Sequence, residues 1–414
     1  MQSLAQLLAA QGHTIVGSDS DLAKLSALPS LRNFKLAAET AAEPLLSTAM
    51  RMIYTDAAPS DHPLRQFALT HNIPQQMLFE ATGEFSRQFK TIAVTGTHGK
   101  SSTTAFLGHI LTECGLDPTI QLGATVSRWP LGNARVGSGD YFVVEADEYR
   151  NHFLALNPSH IVITAIDFDH PDFFDSLDDV LIAYERFLKQ LKPDGVVVCP
   201  EALLEKYPLL PWPVNTIPIK PPARSLSLPL PGDHMQQNAA LAVALASQLG
   251  IDTKRAEDSL KTFPGLSRRF EKIGVIGKMD VISDYGHHPT EIAATLQAAQ
   301  QWFPGKKIVA IVETHTAKRV EAFLPLFIEA LAPIYADSVI IYPTFYVEGR
   351  DDAAEAQAST QALLEALRSS RGDVLDAANQ AQLTQILDEK STQYDIAIGF
   401  SAGVLDAHLR QIVD

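Results

Sequence analysis

A lysine between a glycine and two serines gives this chain its clearest chemistry. Gly96, Thr97, His98, Gly99, Lys100, Ser101 and Ser102 follow the apolar run Ile92-Ala93-Val94 and open into Thr103 to Leu111, whose apolar spacing predicts a helix. A strand, a glycine turn and a helix N-terminus form a phosphate cradle. Backbone N–H groups face the anion, the helix dipole favours negative charge, and the lysine adds a point charge. The hydroxyl after the lysine suits Mg²⁺. The general nucleotide-binding loop has a glycine five residues before Gly99, where this chain has Val94; only Gly96 precedes it, three residues away. This is a shortened phosphate loop.

Two acidic clusters follow later strands. Glu145-Ala146-Asp147-Glu148-Tyr149-Arg150 ends the run Tyr141–Val144, and Asp167-Phe168-Asp169-His170-Pro171-Asp172 ends the run 161–166. Carboxylates where a buried parallel strand emerges are costly unless they meet positive charge. All three segments can therefore converge on one sheet edge. Oxygens of Ser101 and Glu145 suit Mg²⁺, and His170 has the chemistry for a second metal or for the transferred phosphate.

The shortened loop resembles that of the Mur ligase superfamily, which forms amide bonds with ATP. Glu145-Ala146-Asp147-Glu148 and Asp169-His170 resemble its metal-binding signatures. The runs 148–154 and 167–172 are similar to the branch that adds L-alanine to UDP-N-acetylmuramate, particularly its Gram-positive type. The resemblance implies that Lys100 contacts ATP phosphates, that Ser101 and Glu145 serve one Mg²⁺, and that His170 serves a second. Pro231-Gly232-Asp233-His234-Met235-Gln236-Gln237-Asn238 resembles the adenine-reading element. Asn238 matches its second asparagine, and Met235 replaces the first.

In the last third, Arg268-Arg269-Phe270-Glu271 and Asp284-Tyr285-Gly286-His287-His288-Pro289-Thr290-Glu291 closely resemble the alanine- and tripeptide-adding ligases. By that resemblance Arg269 approaches the ATP phosphates, Asp284 holds the ribose and Tyr285 faces the amino acid, with His287 and His288 beside the substrate. Glu313-Thr314-His315-Thr316-Ala317-Lys318-Arg319 stands where the alanine ligases have Gln-Pro-His-Thr-x-x-Arg. His315, Thr316 and Arg319 match; Glu313 and Thr314 depart. Arg319 is the candidate clamp for an amino-acid carboxylate, because a planar guanidinium binds two oxygens.

The elements that must position these residues fall into three α/β blocks. Residues 1–90 carry a leucine-faced helix, a strand at 14–16 with Gly17-Ser18-Asp19 as its turn, a strand at 52–54 and a helix at 64–69. Ser18 and Asp19 are candidate sugar-nucleotide contacts in this Rossmann-like, UDP-binding block. Residues 91–263 form the central P-loop-type ATP-binding block, with a parallel sheet of strands at 92–94, 141–144, 161–166 and 196–199. A helix covers 180–191, the proline-rich 208–231 reads as loop and edge strand, and a second helix covers 237–249. Residues 264–414 form a C-terminal Rossmann-like block for amino acid and ATP, with strands at 281–283, 308–312, 338–342 and 396–400.

The resemblance weakens at the front. The family's first strand and phosphate-binding glycines end in Gly-Met, and Met1 falls where that methionine stands. The expectation is a truncated first domain that binds the sugar nucleotide weakly, the simplest cause being a start codon placed too late.

Composition agrees with an enzyme. At 414 residues the chain is too long for a single core, and 46% hydrophobic with 20% charged residues is ordinary for a globular protein. A net charge of −15 argues against nonspecific nucleic-acid binding. Two cysteines, Cys114 and Cys199, form no Cys/His motif and fit a reducing cytoplasm. No signal peptide or membrane span is expected.

The expected protein is a cytoplasmic, ATP- and Mg²⁺-dependent ligase of peptidoglycan synthesis, monomeric or homodimeric. It joins L-alanine to UDP-N-acetylmuramate through an acyl phosphate, with the C-terminal block closing onto the middle one. One rival is the recycling ligase that adds a tripeptide to the same sugar nucleotide; His315-Thr316 and the 150–154 run favour alanine. A folylpolyglutamate synthetase has no reason to carry the 284–289 string. Against a silent ATP- or sugar-nucleotide-binding relative stand Lys100, Glu145 and His170.

Overall fold

The computed structural model describes residues 1–19, 22, 31–32, 34–332, 334–346 and 352–413. The chain divides into two compact units. The first comprises Met1–Asp167, Leu177–Ser227 and Asn238–Pro264; the second comprises Phe168–Ser176, Leu228–Gln237 and Gly265–Asp414. Both are α/β and dominated by parallel strand pairs. Among the described residues no helix is long and apolar enough to cross a membrane.

The first unit opens with two short parallel pairs. Strand β1 (Val16–Asp19) pairs with β2 (Lys35–Ala38), and β3 (Met52–Tyr54) pairs with β4 (Gln75–Met77). Here the structure corrects the sequence reading. Gly17-Ser18-Asp19, turn-like in composition, lies inside β1, with Ser18 level with Ala37 and Asp19 level with Ala38. Pairing overrides local propensity. A small core of Ala42, Leu46, Leu64, Ala68 and Ile73 holds this part together.

The main sheet of the first unit contains β5 (Lys90–Thr95), β6 (Thr119–Gln121), β7 (Ala134–Arg135), β8 (Tyr141–Glu145), β9 (His160–Ile163), β10 (Val196–Pro200) and β11 (Thr216–Ile219), in the order β11-β10-β9-β5-β8-β6-β7. All its pairs are parallel except β6 with β7. Ile92-Ala93-Val94, Phe142-Val143-Val144 and Ile161-Val162-Ile163 are fully buried, as parallel strands covered on both faces require. Because β5 lies between β8 and β9, their C-terminal ends share one edge. The strand read at 161–166 stops at Ile163, and β11 supplies the edge strand expected within 208–231. The helix read from Gln237 begins at Asp233 and ends at Gln248.

The second unit's sheet contains β12 (Glu271–Ile276), β13 (Met279–Asp284), β14 (Ile308–His315), β15 (Ser338–Phe345), β16 (Val374–Asp376) and β17 (Ile396–Phe400), ordered β12-β13-β17-β14-β15-β16. Only β12 is antiparallel, a hairpin partner of β13. Along β14, Ile308, Ala310 and Val312 enter one core and Val309 and Ile311 the other, so both sheet faces are covered. Asp284 and His315 are the last residues of their strands, at the edge where open α/β sheets bind ligands.

Candidate active site

The loop after β5 has the geometry of a phosphate cradle. Gly96 takes φ +140° and Gly99 φ +83°, conformations open to glycine. Space excludes side chains as well. A Cβ on Gly96 would lie 2.1 Å from the Thr164 Oγ1, and one on Gly99 would lie 2.6 Å from the Asn238 Oδ1. The Thr164 hydroxyl sits between the carbonyls of His98 and Thr95, within hydrogen-bonding reach of both, and Thr97 exchanges hydrogen bonds with the Asp167 backbone at 2.9 and 3.2 Å. The segment after β9 thus fixes the loop's shape. Gly99 is the N-cap of the helix Lys100–Glu113, which places Lys100, Ser101 and Ser102 in its first turn.

Lys100 folds back over this loop. Its Nζ donates to the Gly96 carbonyl at 2.7 Å and to both oxygens of Glu148 at 3.1 and 2.9 Å. Burial disfavours the ammonium, but Glu148, Asp147 and Glu145 outweigh it and hold the lysine charged, above its ordinary range. Glu148 is 2% exposed and is the residue of the acidic run that orients the lysine. Sequence reasoning placed Glu148 in the cluster without giving it this task. The available signal was its spacing: three residues past Glu145, beyond the strand end.

The Ser101 hydroxyl donates to Glu145 Oε1 at 2.9 Å, while Glu145 Oε2 accepts the Gly123 N–H at 2.7 Å. A hydroxyl and a carboxylate side by side are hard oxygen donors of the kind Mg²⁺ takes. Asn238, 8% exposed, lies against Gly99, so the asparagine expected to read adenine stands beside the phosphate loop.

The turn after Glu148 reaches the first part of the chain. Arg150 and Asn151 take φ +50° and +61°. Asp56, just after β3, lies 2.8 Å from the His152 Nε2 and 3.4 Å from the Arg150 Nη1, and His152 stacks on Phe79 at 3.6 Å. Sequence reasoning used this run as a resemblance only.

In the second unit, Asp284 accepts the N–H groups of Phe270 (2.9 Å) and Gly286 (2.8 Å). Burial pushes its carboxyl up, against the pull of Arg269 and these donors. The guanidinium groups of Arg268 and Arg269 lie 4.8 and 5.1 Å from the centre of the Tyr285 ring, a cation–π arrangement. His287 sits 3.2 Å from the Tyr285 carbonyl; burial and Arg319 push its imidazole down to about 3, so it is neutral near pH 7. His288 has a structural duty: its Nδ1 accepts the Thr290 N–H and caps the helix Pro289–Trp302.

Arg319 is buried. Its Nε and Nη2 bond one oxygen of Asp169, and its Nη1 lies 3.3 Å from the His315 Nδ1. Burial opposes ionisation of Asp169, yet Arg319, with His170, His287 and His288, holds the carboxyl well below the usual range. His170 follows with φ +56°, its N–H on Asp169 Oδ1 at 2.7 Å. His170 belongs to the second unit, Ser101 and Glu145 to the first.

Residues 94–204 match the Mur ligase middle domain, and residues 268–403 match the family described as Mur ligase, glutamate ligase domain. A UDP-N-acetylmuramate–L-alanine ligase of Caldanaerobacter subterraneus subsp. tengcongensis is 31% identical, over 97% of this chain and 92% of that protein. The chain belongs to the Mur ligases. Another relative with the same name, from Desulfitobacterium hafniense, is 33% identical over 83% of this chain and 82% of its own. In fold, the UDP-N-acetylmuramate–alanine ligase of Thermotoga maritima superposes with a TM-score of 0.81. It covers 100% of this chain and 95% of that one, at 24% identity. The Mur middle-domain match spans the phosphate loop, Glu145, Glu148 and His170. The second match begins at Arg268 and takes in Asp284, His315 and Arg319.

Proposed function

We propose that this Mur ligase joins L-alanine to the lactyl carboxylate of UDP-N-acetylmuramate with ATP, in peptidoglycan precursor synthesis. The observation that carries the reading is the Lys100 ammonium, held charged by Glu148 over a glycine loop beside the Ser101–Glu145 pair. The relatives named for this reaction supply the substrates. Residues 1–90 are assigned to the sugar nucleotide, with Ser18 and Asp19 among its contacts. Residues 91–263 are assigned to ATP, and 264–414 to the amino acid and part of ATP.

In the first unit, Lys100 and the N–H groups of 96–102 neutralise and orient phosphate, and Asn238 takes the adenine. Ser101 and Glu145 are assigned to one Mg²⁺ and His170 to a second; when bound, the ions supply further charge neutralisation. In the second unit, Arg269 and Asp284 take ATP phosphate and ribose. Tyr285, neutral His287, His315 and Arg319 surround the amino acid, with His288 capping the helix that follows Tyr285 and His287.

Attack of the sugar-nucleotide carboxylate on the γ-phosphorus of ATP gives an acyl phosphate and ADP; the alanine amine then attacks the acyl carbon, loses a proton and expels inorganic phosphate as the amide forms. Such chemistry depends on positioning and charge rather than on a protein nucleophile. Mass spectrometry of an incubation with UDP-N-acetylmuramate, ATP, Mg²⁺ and L-alanine tests this. The expected product carries one added alanyl residue; no mass change with L-alanine would reject the assignment.

A further inference from the structure

Glu313, where this chain departs from the alanine ligases' glutamine, is 1% exposed at the C-terminal end of β14. Three donors converge on its carboxylate. They are the Ser401 hydroxyl, the Val404 N–H and the Leu405 N–H, the last two at 3.2 Å. The Ser401 Oγ itself accepts the Gly403 N–H at 3.0 Å, which directs its proton toward Glu313. An acceptor-only carboxylate suits this set; an amide would turn its NH₂ toward one of the donors.

The segment that Glu313 grips touches the residues assigned to the amino acid along two routes. The Ser401 carbonyl accepts from the Arg268 guanidinium, which lies over the Tyr285 ring. On the same side the Ser401 N–H donates at 3.1 Å to the backbone carbonyl of Asp284, the peptide group that leads into Tyr285. On the other side, Gly403 packs so close that a Cβ would lie 2.5 Å from the Phe345 ring. That ring stacks on His315 at 5.4 Å, and His315 lies beside Arg319.

We propose that Glu313 is a positioning residue for the amino-acid end of the site. It locks residues 401–404 against Arg268–Tyr285 on one side and Phe345–His315 on the other. The assignment rests on the amino-acid role given above to Tyr285, His315 and Arg319.

Glu313→Gln, Ser401→Ala and the double variant test it by steady-state phosphate release, with whichever of L-alanine or tripeptide the wild type consumes. Each single variant is expected to raise the KM for that amino donor about tenfold, with the KM for ATP changed by less than about twofold. The double variant should match the worse single one, because both act through the same contact. Ser401→Ala carries the test if Glu313→Gln does not fold. Equal changes for ATP and amino donor, additive losses, or an unchanged amino-donor KM would overturn the proposal. A wild type that consumes only tripeptide rejects the alanine reading instead, and the selectivity of the KM effect still decides the role of Glu313.

Discussion

Arg319 closes both Nε and Nη2 on a single oxygen of Asp169, at 3.1 and 2.8 Å, with both side chains 6% exposed. The guanidinium is therefore oriented before any substrate arrives, and an amino acid that binds it avoids the cost of ordering a long side chain. Arg319→Lys keeps the charge and loses the fork. The KM for L-alanine should rise about ten- to hundredfold, with that for ATP nearly unchanged, since hydrogen bonds to charged groups contribute about 1.5–3 kcal/mol. Equal effects on both constants would remove Arg319 from the amino-acid site.

Asp169→Asn leaves a buried arginine without its counter-charge. Breaking such a pair costs about 3–5 kcal/mol, so denaturant unfolding should show a clear loss of stability. An unchanged midpoint would mean that the pair contributes orientation alone.

Lys100→Ala and Glu145→Ala should each reduce turnover by about 10²–10³ or more while the fold persists, if Lys100 neutralises phosphate and Glu145 serves Mg²⁺ as proposed. Glu148→Gln should lower turnover less, by releasing Lys100 from its tether. Parallel kinetics and circular dichroism on the three variants check the ranking, and near-normal turnover of Lys100→Ala would contradict the site.

The His287 imidazole, pushed down to about 3 by burial and Arg319, gives a signed pH effect. The unfolded imidazole titrates near about 6.5. Stability from keeping His287 neutral is fully present above that value and is lost as pH falls toward about 3, since the unfolded state takes up the proton first. The difference in unfolding free energy, wild type minus His287→Gln, should therefore shrink from pH 7 to pH 4. A difference independent of pH would show that His287 protonates alike in both states.

The sequence carried the site further than the fold around it. Gly99-Lys100-Ser101 behind the apolar run Ile92-Ala93-Val94 leaves little choice of local structure, and the Asp284 string sits at a strand end as its composition suggests. Pairs between distant residues were out of reach: nothing in Asp169 announces Arg319, 150 residues on, or in Glu148 the grip on Lys100. Strands β6 and β7 were missed because three and two residues carry no periodicity. β12 was missed because Gly274, at an irregularity in the hairpin, breaks its alternation. Gly17-Ser18-Asp19 misled in the opposite direction, being turn-forming residues held straight by a neighbouring strand.

The central claim is the identity of the amino donor. Phosphate release should be measured with UDP-N-acetylmuramate, ATP and Mg²⁺, adding L-alanine or the tripeptide of the recycling ligases in parallel. Release is expected to depend on both the sugar nucleotide and L-alanine and to be far slower with tripeptide. Release with tripeptide and none with L-alanine would contradict it.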